Sequence, residues 1–443
     1  MKRVKANTSF YLADTWWFGM TNRCPLDTFK LLSKDRAIKG FTAVLIVIGV
    51  PPEVSFFSPD AANSGGLPFN KDYSLNLSYF DEVDQKIDML LANNLTPCIV
   101  GGWGPHIDIA GEAAIKNLWK EIISRYHKKG VVWCVCGEVD LPSALADTQS
   151  SLFAQAKNII KSRAPMLFAL TRSIYNLVKK PSVSFTQNNR LAAWGRIATY
   201  IAETDPSHNP ITIHSHSPQR TSQLFNNPRW LTIDSIQTGH AESSRKLIRT
   251  AALSAYKEDR TFINLEPWYE GILGKFLAED QRYAFWVSVL SGAKGHAYGA
   301  HGIWNMGSND DFLAHWGKSD WKKAMNFPGS IHLGKAATFL QTLGDTSLIT
   351  PLEDAISPSW HLSDPMLPVA ASLGSTLIIY VPDCKNTNNL TLSNNIRSQL
   401  KASIYTPETF EKTTISVNKN VLNIPLQRTK DVVITVKFDT IEA

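Results

Sequence analysis

Short apolar runs alternate with segments of helical period along most of this chain. The runs cover 9–14, 42–50, 96–103, 131–137, 211–216, 231–236, 261–266 and 294–299, and each predicts a strand. Between them, the segment from Pro25 to Gly40 carries the end signals of a helix. Phe80, Val83, Ile87 and Leu90 keep one helical face, as do Ile115, Leu118, Trp119, Ile122 and Tyr126 ahead of Gly130. Residues 189–203 supply a fourth helix and 331–345 the last. Strands that are apolar on both faces and separated by helices belong to a parallel sheet covered on both sides. Eight of them predict a closed (β/α)8 TIM barrel.

After about residue 345 the pattern changes to alternating runs at 369–373, 376–382, 402–407, 421–426 and 431–438, with Asn-rich turns between them. This predicts a small all-β sandwich. The fold class is therefore α/β, with a barrel over residues 1–344 and an accessory sandwich over 345–443. An insertion at about 141–188, helical in part at 153–162, follows the fourth strand. In a barrel such an insertion lies over the catalytic face, as a lid or a subsite wall.

Composition narrows the function. With 44% hydrophobic and 19% charged residues among 443, the chain is globular and not disordered. Its net charge of +6 is spread without a concentrated basic stripe, which argues against nucleic acid as a partner. No run of eighteen apolar residues predicts a membrane span. The five cysteines, Cys24, Cys98, Cys134, Cys136 and Cys384, read as free buried thiols, and Cys134 and Cys136 as packing on one side of a strand. Asp14 interrupts what would be the apolar core of a signal peptide, so the expected location is cytoplasmic, or that of a trimmed exported form restarted with Met.

Barrel chemistry comes from the C-terminal ends of several strands. Those ends carry Asp14, Trp16 and Trp17; Trp103; Glu138 and Asp140; His214 and His216; Gln237 and His240; Glu266, Trp268 and Tyr269; and His296, Tyr298, His301 and Trp304. Two carboxylates after strands four and seven, set among tryptophans, suit glycoside hydrolysis: one acid protonates the leaving oxygen, the other attacks, and aromatic faces stack on sugar C–H surfaces. Glu266 is the candidate nucleophile and Glu138 the candidate acid/base, with Asp140 as its competitor. Asp14 either binds a sugar hydroxyl or braces a backbone N–H. The remaining aromatic and imidazole groups are candidates for substrate binding, and Glu270 reads as a solvated loop acid. The His214-Ser-His216 pair suggests metal ligands, but the first strand offers no histidine to join them, and no cofactor is expected.

The stretches YLADTWWFG, WCVCGE, WLTIDSIQTGH, INLEPWYEG and YAFWVSVLSGAKGHAYGAHGIW resemble, in order and spacing, motifs of the apiosidase-like glycoside hydrolases (glycoside hydrolase family 140 and its relatives). That resemblance implies a (β/α)8 barrel followed by a β-sandwich, an acid/base after the fourth strand and a nucleophile in the Glu-Pro pair after the seventh, which fall on Glu138 and Glu266. The first of these positions is Glu here where the family has Asp, and the insertion is longer. The expectation is a retaining, exo-acting glycosidase of a plant or microbial glycan, with apiose or another furanoside implied by the resemblance alone. The rival readings are a metal-dependent barrel hydrolase of amides or esters and a carbohydrate-binding protein without turnover.

Overall fold

The computed structural model describes residues 11–141, 188–216, 218–387, 389–394, 396–418, 420–425 and 430–441. The insertion expected at about 141–188 lies almost wholly outside the described residues. Eight parallel strands form the first sheet: β1 (Tyr11–Trp16), β2 (Ala43–Val47), β3 (Thr96–Val100), β4 (Val132–Cys134), β5 (Ile211–Thr212), β6 (Asp234–Gln237), β7 (Phe262–Glu266) and β8 (Gly295–Tyr298). Their order is β5-β4-β3-β2-β1-β8-β7-β6, which leaves β5 and β6 at the seam. There the amides of Thr232 and Ile233 donate to the Ile211 carbonyl, and the Ser235 hydroxyl donates to the Ile213 carbonyl at 2.7 Å. The seam thus closes through individual bonds where a regular ladder would otherwise run.

Among the described residues, the helices that follow the strands are α1 (Leu26–Ile38), α2 (Tyr79–Ala92), α3 (Glu112–Tyr126), α4 (188–204), α5 (Thr221–Leu224), α6 (Ser244–Lys257), α7 (Ala278–Val289) and α8 (Pro328–Leu343), with short helical turns besides at His106–Ala110 and Trp321–Ala324. Of these α5 is a single turn. Helix α7 is buried on nearly every face, which an ordinary surface helix with one apolar stripe would not be. Its reason is a second layer on its outer side.

That layer is a nine-stranded antiparallel sheet spanning Thr350 to Ile441, curled on itself. Alternation along its strands divides the side chains between two cores. In Thr376–Val381, Leu377, Ile379 and Val381 enter the sandwich core, while Ile378 and Tyr380 join the barrel core. Tyr380 stacks on Trp286 of α7, with centroids 6.1 Å apart. Arg282 of α7 makes a bidentate pair with buried Asp431, both bonds 2.7 Å. Four strands, Asn389–Leu392, Lys412–Asn418, Thr350–Pro351 and Ile356–Ser357, were not expected. The first carries the Asn-rich composition of a turn, and its apolar alternation is only four residues long.

Candidate active site

Glu266 ends β7 across a bulge. Ile236 pairs with Asn264, but the next pair is Gln237 with Glu266, so Leu265 has no partner and the strand is re-aimed. The bulge sets the Glu266 carboxylate beside the Gln237 amide, whose Nε2 donates to Glu266 Oε1 at 2.8 Å. Glu138 arrives from β4 by a different route. The chain stays extended to Gly137, which bonds Gly102 and Gly104, and then turns at Glu138 with φ 42°, a left-handed value rare for a side chain. The same Gln237 Nε2 donates to Glu138 Oε1 at 3.2 Å. Two bonds from one nitrogen hold the carboxylate oxygens within about 6 Å of each other, near the separation of a retaining pair.

The two acids sit in opposite electrostatic settings. Burial, and next the charge of Glu266, push Glu138 up to about 7, against the Trp103 indole N–H that donates to its Oε2 at 2.8 Å. Glu266 is 5% exposed, and burial would raise it too. Instead its donors win, and it is held below the usual glutamate range. His240 Nε2 lies 3.2 Å from Oε1 and His214 Nε2 3.5 Å from Oε2. The tautomers follow from the other ring nitrogens: His214 Nδ1 accepts the Glu138 amide, and His240 Nδ1 accepts the Tyr269 amide. Both histidines therefore turn Nε2–H toward Glu266. Tyr269 adds its hydroxyl, which already accepts the Trp17 indole N–H at 2.8 Å and is left to donate to the carboxylate.

Aromatic rings wall the pair. Trp17 and Trp103 meet edge to face at 5.2 Å, each within about 6 Å of His214, and Tyr269 lies 4.5 Å from His240 and 5.9 Å from Trp304. A Cβ on Gly137 would meet the Trp103 ring at 2.3 Å, so only glycine lets the indole lie where it reaches Glu138.

Other residues expected at the site are committed elsewhere. Asp14 is fully buried, paired with Arg36 Nε at 2.5 Å and accepting from the Trp16 indole and the Thr15 amide. It braces backbone and core and has no face for a sugar. Trp16 packs on Phe29, Trp268 stacks on Phe276, and His296 packs on Phe285 with burial pushing it down to about 3. The Tyr298 hydroxyl donates to Glu270, which is no solvated loop acid: it is buried and caps α8 by accepting the Gly329 amide at 3.1 Å. His301 is spent between the Trp304 indole and the Gly317 carbonyl. Asp140 is buried and accepts the His216 amide at 2.7 Å, out of the Gln237 bridge that joins the two glutamates. His216 is exposed while His214 turns inward, and among the described residues no three of His, Cys, Asp and Glu gather as a metal would require. All five cysteines are buried.

Sequence reasoning passed over three groups near the mouth. Trp316 lies 6.1 Å from His240, its indole N–H donates to Glu53 at 2.8 Å, and His315 contacts the same carboxylate. Glu53 follows the second strand, and the rule that selected Glu138 would have selected it. An open cleft of about 520 Å³ lined by Asn22, Arg23, Asp60 and Trp321 contains neither carboxylate of the pair.

Solved structures share this architecture. A glycoside hydrolase whose structure aligns with 98% of this chain and 94% of its own has a TM-score of 0.73 at 18% identity. A glycoside hydrolase family 5 protein from Bacteroides vulgatus covers 97% and 89% with a TM-score of 0.72, also at 18% identity. A family 30 endoxylanase from Clostridium papyrosolvens covers 98% and 97% at 0.52 and 9%. At such identities the likeness is one of fold. No curated protein matches the sequence. The family profile described as "Apiosidase-like, catalytic domain" matches residues 2–345, and the chain therefore belongs to the apiosidase-like family of glycoside hydrolases.

Proposed function

We propose that the protein is a retaining, exo-acting glycosidase that releases apiose, or another furanose, from the end of a plant or microbial glycan. The observation that carries this reading is the single Gln237 amide bridging two carboxylates whose proton affinities are driven apart. Divergent settings of paired acids are how one fold supplies both an acid and a nucleophile near neutral pH. Glu138, protonated up to about pH 7, gives its proton to the glycosidic oxygen as that bond to the anomeric carbon breaks. Glu266, anionic and surrounded by donors, forms the new bond to that carbon. Glu138, now a carboxylate, then takes a proton from water, whose oxygen displaces Glu266 and frees the sugar.

The depth of Glu266 supports exo action, because a chain end reaches a buried carboxylate more readily than a mid-chain bond does. The preference for apiose rests on the family. The buried Gln237 Oε1, without a partner among the described residues, is available to a sugar hydroxyl. The test is a panel of aryl glycosides, including apiofuranosides, and pectic oligosaccharides, with wild type, Glu266→Gln and Glu138→Gln run in parallel and the first-formed anomer read by proton NMR. Loss of turnover in Glu266→Gln and an initial product of retained configuration are expected. Full turnover in both variants, or an inverted first product, overturns the reading.

A further inference from the structure

The loop after β8 is fastened to a single carboxylate two strands away around the mouth. Glu53, in the loop after β2, is partly buried and sits at φ 63°. Its Oε1 accepts the Trp316 indole N–H at 2.8 Å and its Oε2 lies 2.8 Å from His315 Nε2, so the two oxygens grip consecutive residues. A second anchor follows at once, where the His301 ring donates to the Gly317 carbonyl at 2.9 Å. What these anchors place is the partly exposed Trp316 ring. Its partners are Glu53, from the β2 side, and His240, beyond β6, at 6.1 Å and 73°. In an eight-stranded barrel those two strands face each other, so the indole spans the opening. His240 in turn stands 3.2 Å from Glu266.

We propose that Glu53 is a positioning residue that holds Trp316 across the barrel mouth as the platform on which the terminal sugar rests while Glu138 and Glu266 act on it. This rests on the glycosidase reading above. An indole face pinned by a charge-assisted bond stacks on a sugar without first being ordered, so its contribution falls on binding. Glutamine at position 53 would keep an acceptor for Trp316 and give up the His315 contact; alanine would lose both.

The experiment measures KM and kcat on a p-nitrophenyl apiofuranoside for wild type, Glu53→Gln, Glu53→Ala and Trp316→Ala, and D-apiose affinity by calorimetry in Glu266→Gln with and without Glu53→Ala. Glu53→Ala should raise KM about tenfold with kcat within about twofold, and Glu53→Gln should recover most of it. Trp316→Ala should raise KM at least as much, and D-apiose affinity should fall by the same factor as KM rises. If wild type cleaves no glycoside yet Glu53→Ala still weakens D-apiose binding, the reaction reading fails and the platform stands. If KM and D-apiose affinity hold in both Glu53→Ala and Trp316→Ala, or if only kcat falls, the platform is overturned. Should Glu53→Ala not fold, Trp316→Ala and Glu53→Gln decide it by the same criteria.

Discussion

Replacing Glu266 by Gln should release the proton of Glu138 at lower pH. In the wild type, burial and then the Glu266 charge lift Glu138 from its ordinary 4.5 to about 7. The variant keeps the shape of the site and removes the charge, so the deprotonated form of Glu138 gains and its pKa must fall. Two unit charges about 6 Å apart interact by about 2.8 kcal/mol at an effective dielectric of 20, which corresponds to about two pH units. Burial persists in the variant, so Glu138 should settle between about 5 and 6, still above its ordinary value. Carboxyl ¹³C NMR of glutamate-labelled protein, with Glu138→Gln to assign the resonance, reads the change directly. The same proton sets the basic limb of the wild-type kcat/KM profile, expected near 7. A Glu138 titration that stays in place in Glu266→Gln would mean that the two carboxylates do not feel each other, and the acid/base assignment would fall with it.

Three further outcomes follow from the same geometry. Glu138 has a folded pKa above its unfolded one, so its charge costs stability that is absent below pH 4.5 and fully felt above about 7; Glu138→Gln should melt higher than wild type at pH 8, by about 1–2 kcal/mol after discounting partial exposure, with the gap closing toward pH 4.5. Gly137→Ala puts a methyl group within 2.3 Å of the Trp103 ring; thermal melts should show about 1–3 kcal/mol of destabilisation, and turnover should drop because the Trp103 bond to Glu138 is displaced. Asp14→Asn breaks the fully buried pair with Arg36 and should cost about 3–5 kcal/mol with KM unchanged, whereas a KM effect without loss of stability would restore Asp14 to the substrate.

How much of this was legible depends on which physical signal each part leaves in the sequence. The strands were, because burial on both faces writes a continuous apolar run, and the ends of all eight fall within four residues of the expected spans. The meeting of the acids at 138 and 266 was, because both stand at or just past strand ends on one rim of the barrel. The direction of each strand-end residue was not. Trp16 and Trp17 are adjacent, yet Trp16 turns to Asp14 and Phe29 while Trp17 turns to Tyr269 at the mouth. Asp14 and Tyr298 are register partners on neighbouring strands and both leave the mouth, for Arg36 and Glu270. A census of strand ends counts both parities alike, which is why it gathered core residues together with site residues; Glu53 stands six residues beyond the end of β2.

The two carboxylates also reach the pair by departures from regular geometry that leave no periodic trace. Regular pairing would continue from Ile236–Asn264 to Gln237–Leu265, and the bulge replaces Leu265 with Glu266 opposite the amide that bridges both acids. Regular extension would carry residue 138 onward at negative φ; the left-handed turn instead brings its amide onto His214 Nδ1 and its carboxylate onto Gln237. The two distortions are joined through His214. By accepting the Glu138 amide on one nitrogen it is left to offer the other to Glu266, so the backbone turn that places the acid also sets the tautomer that supports the nucleophile. A change that relaxes the turn at 138 would therefore be felt at Glu266 without touching it.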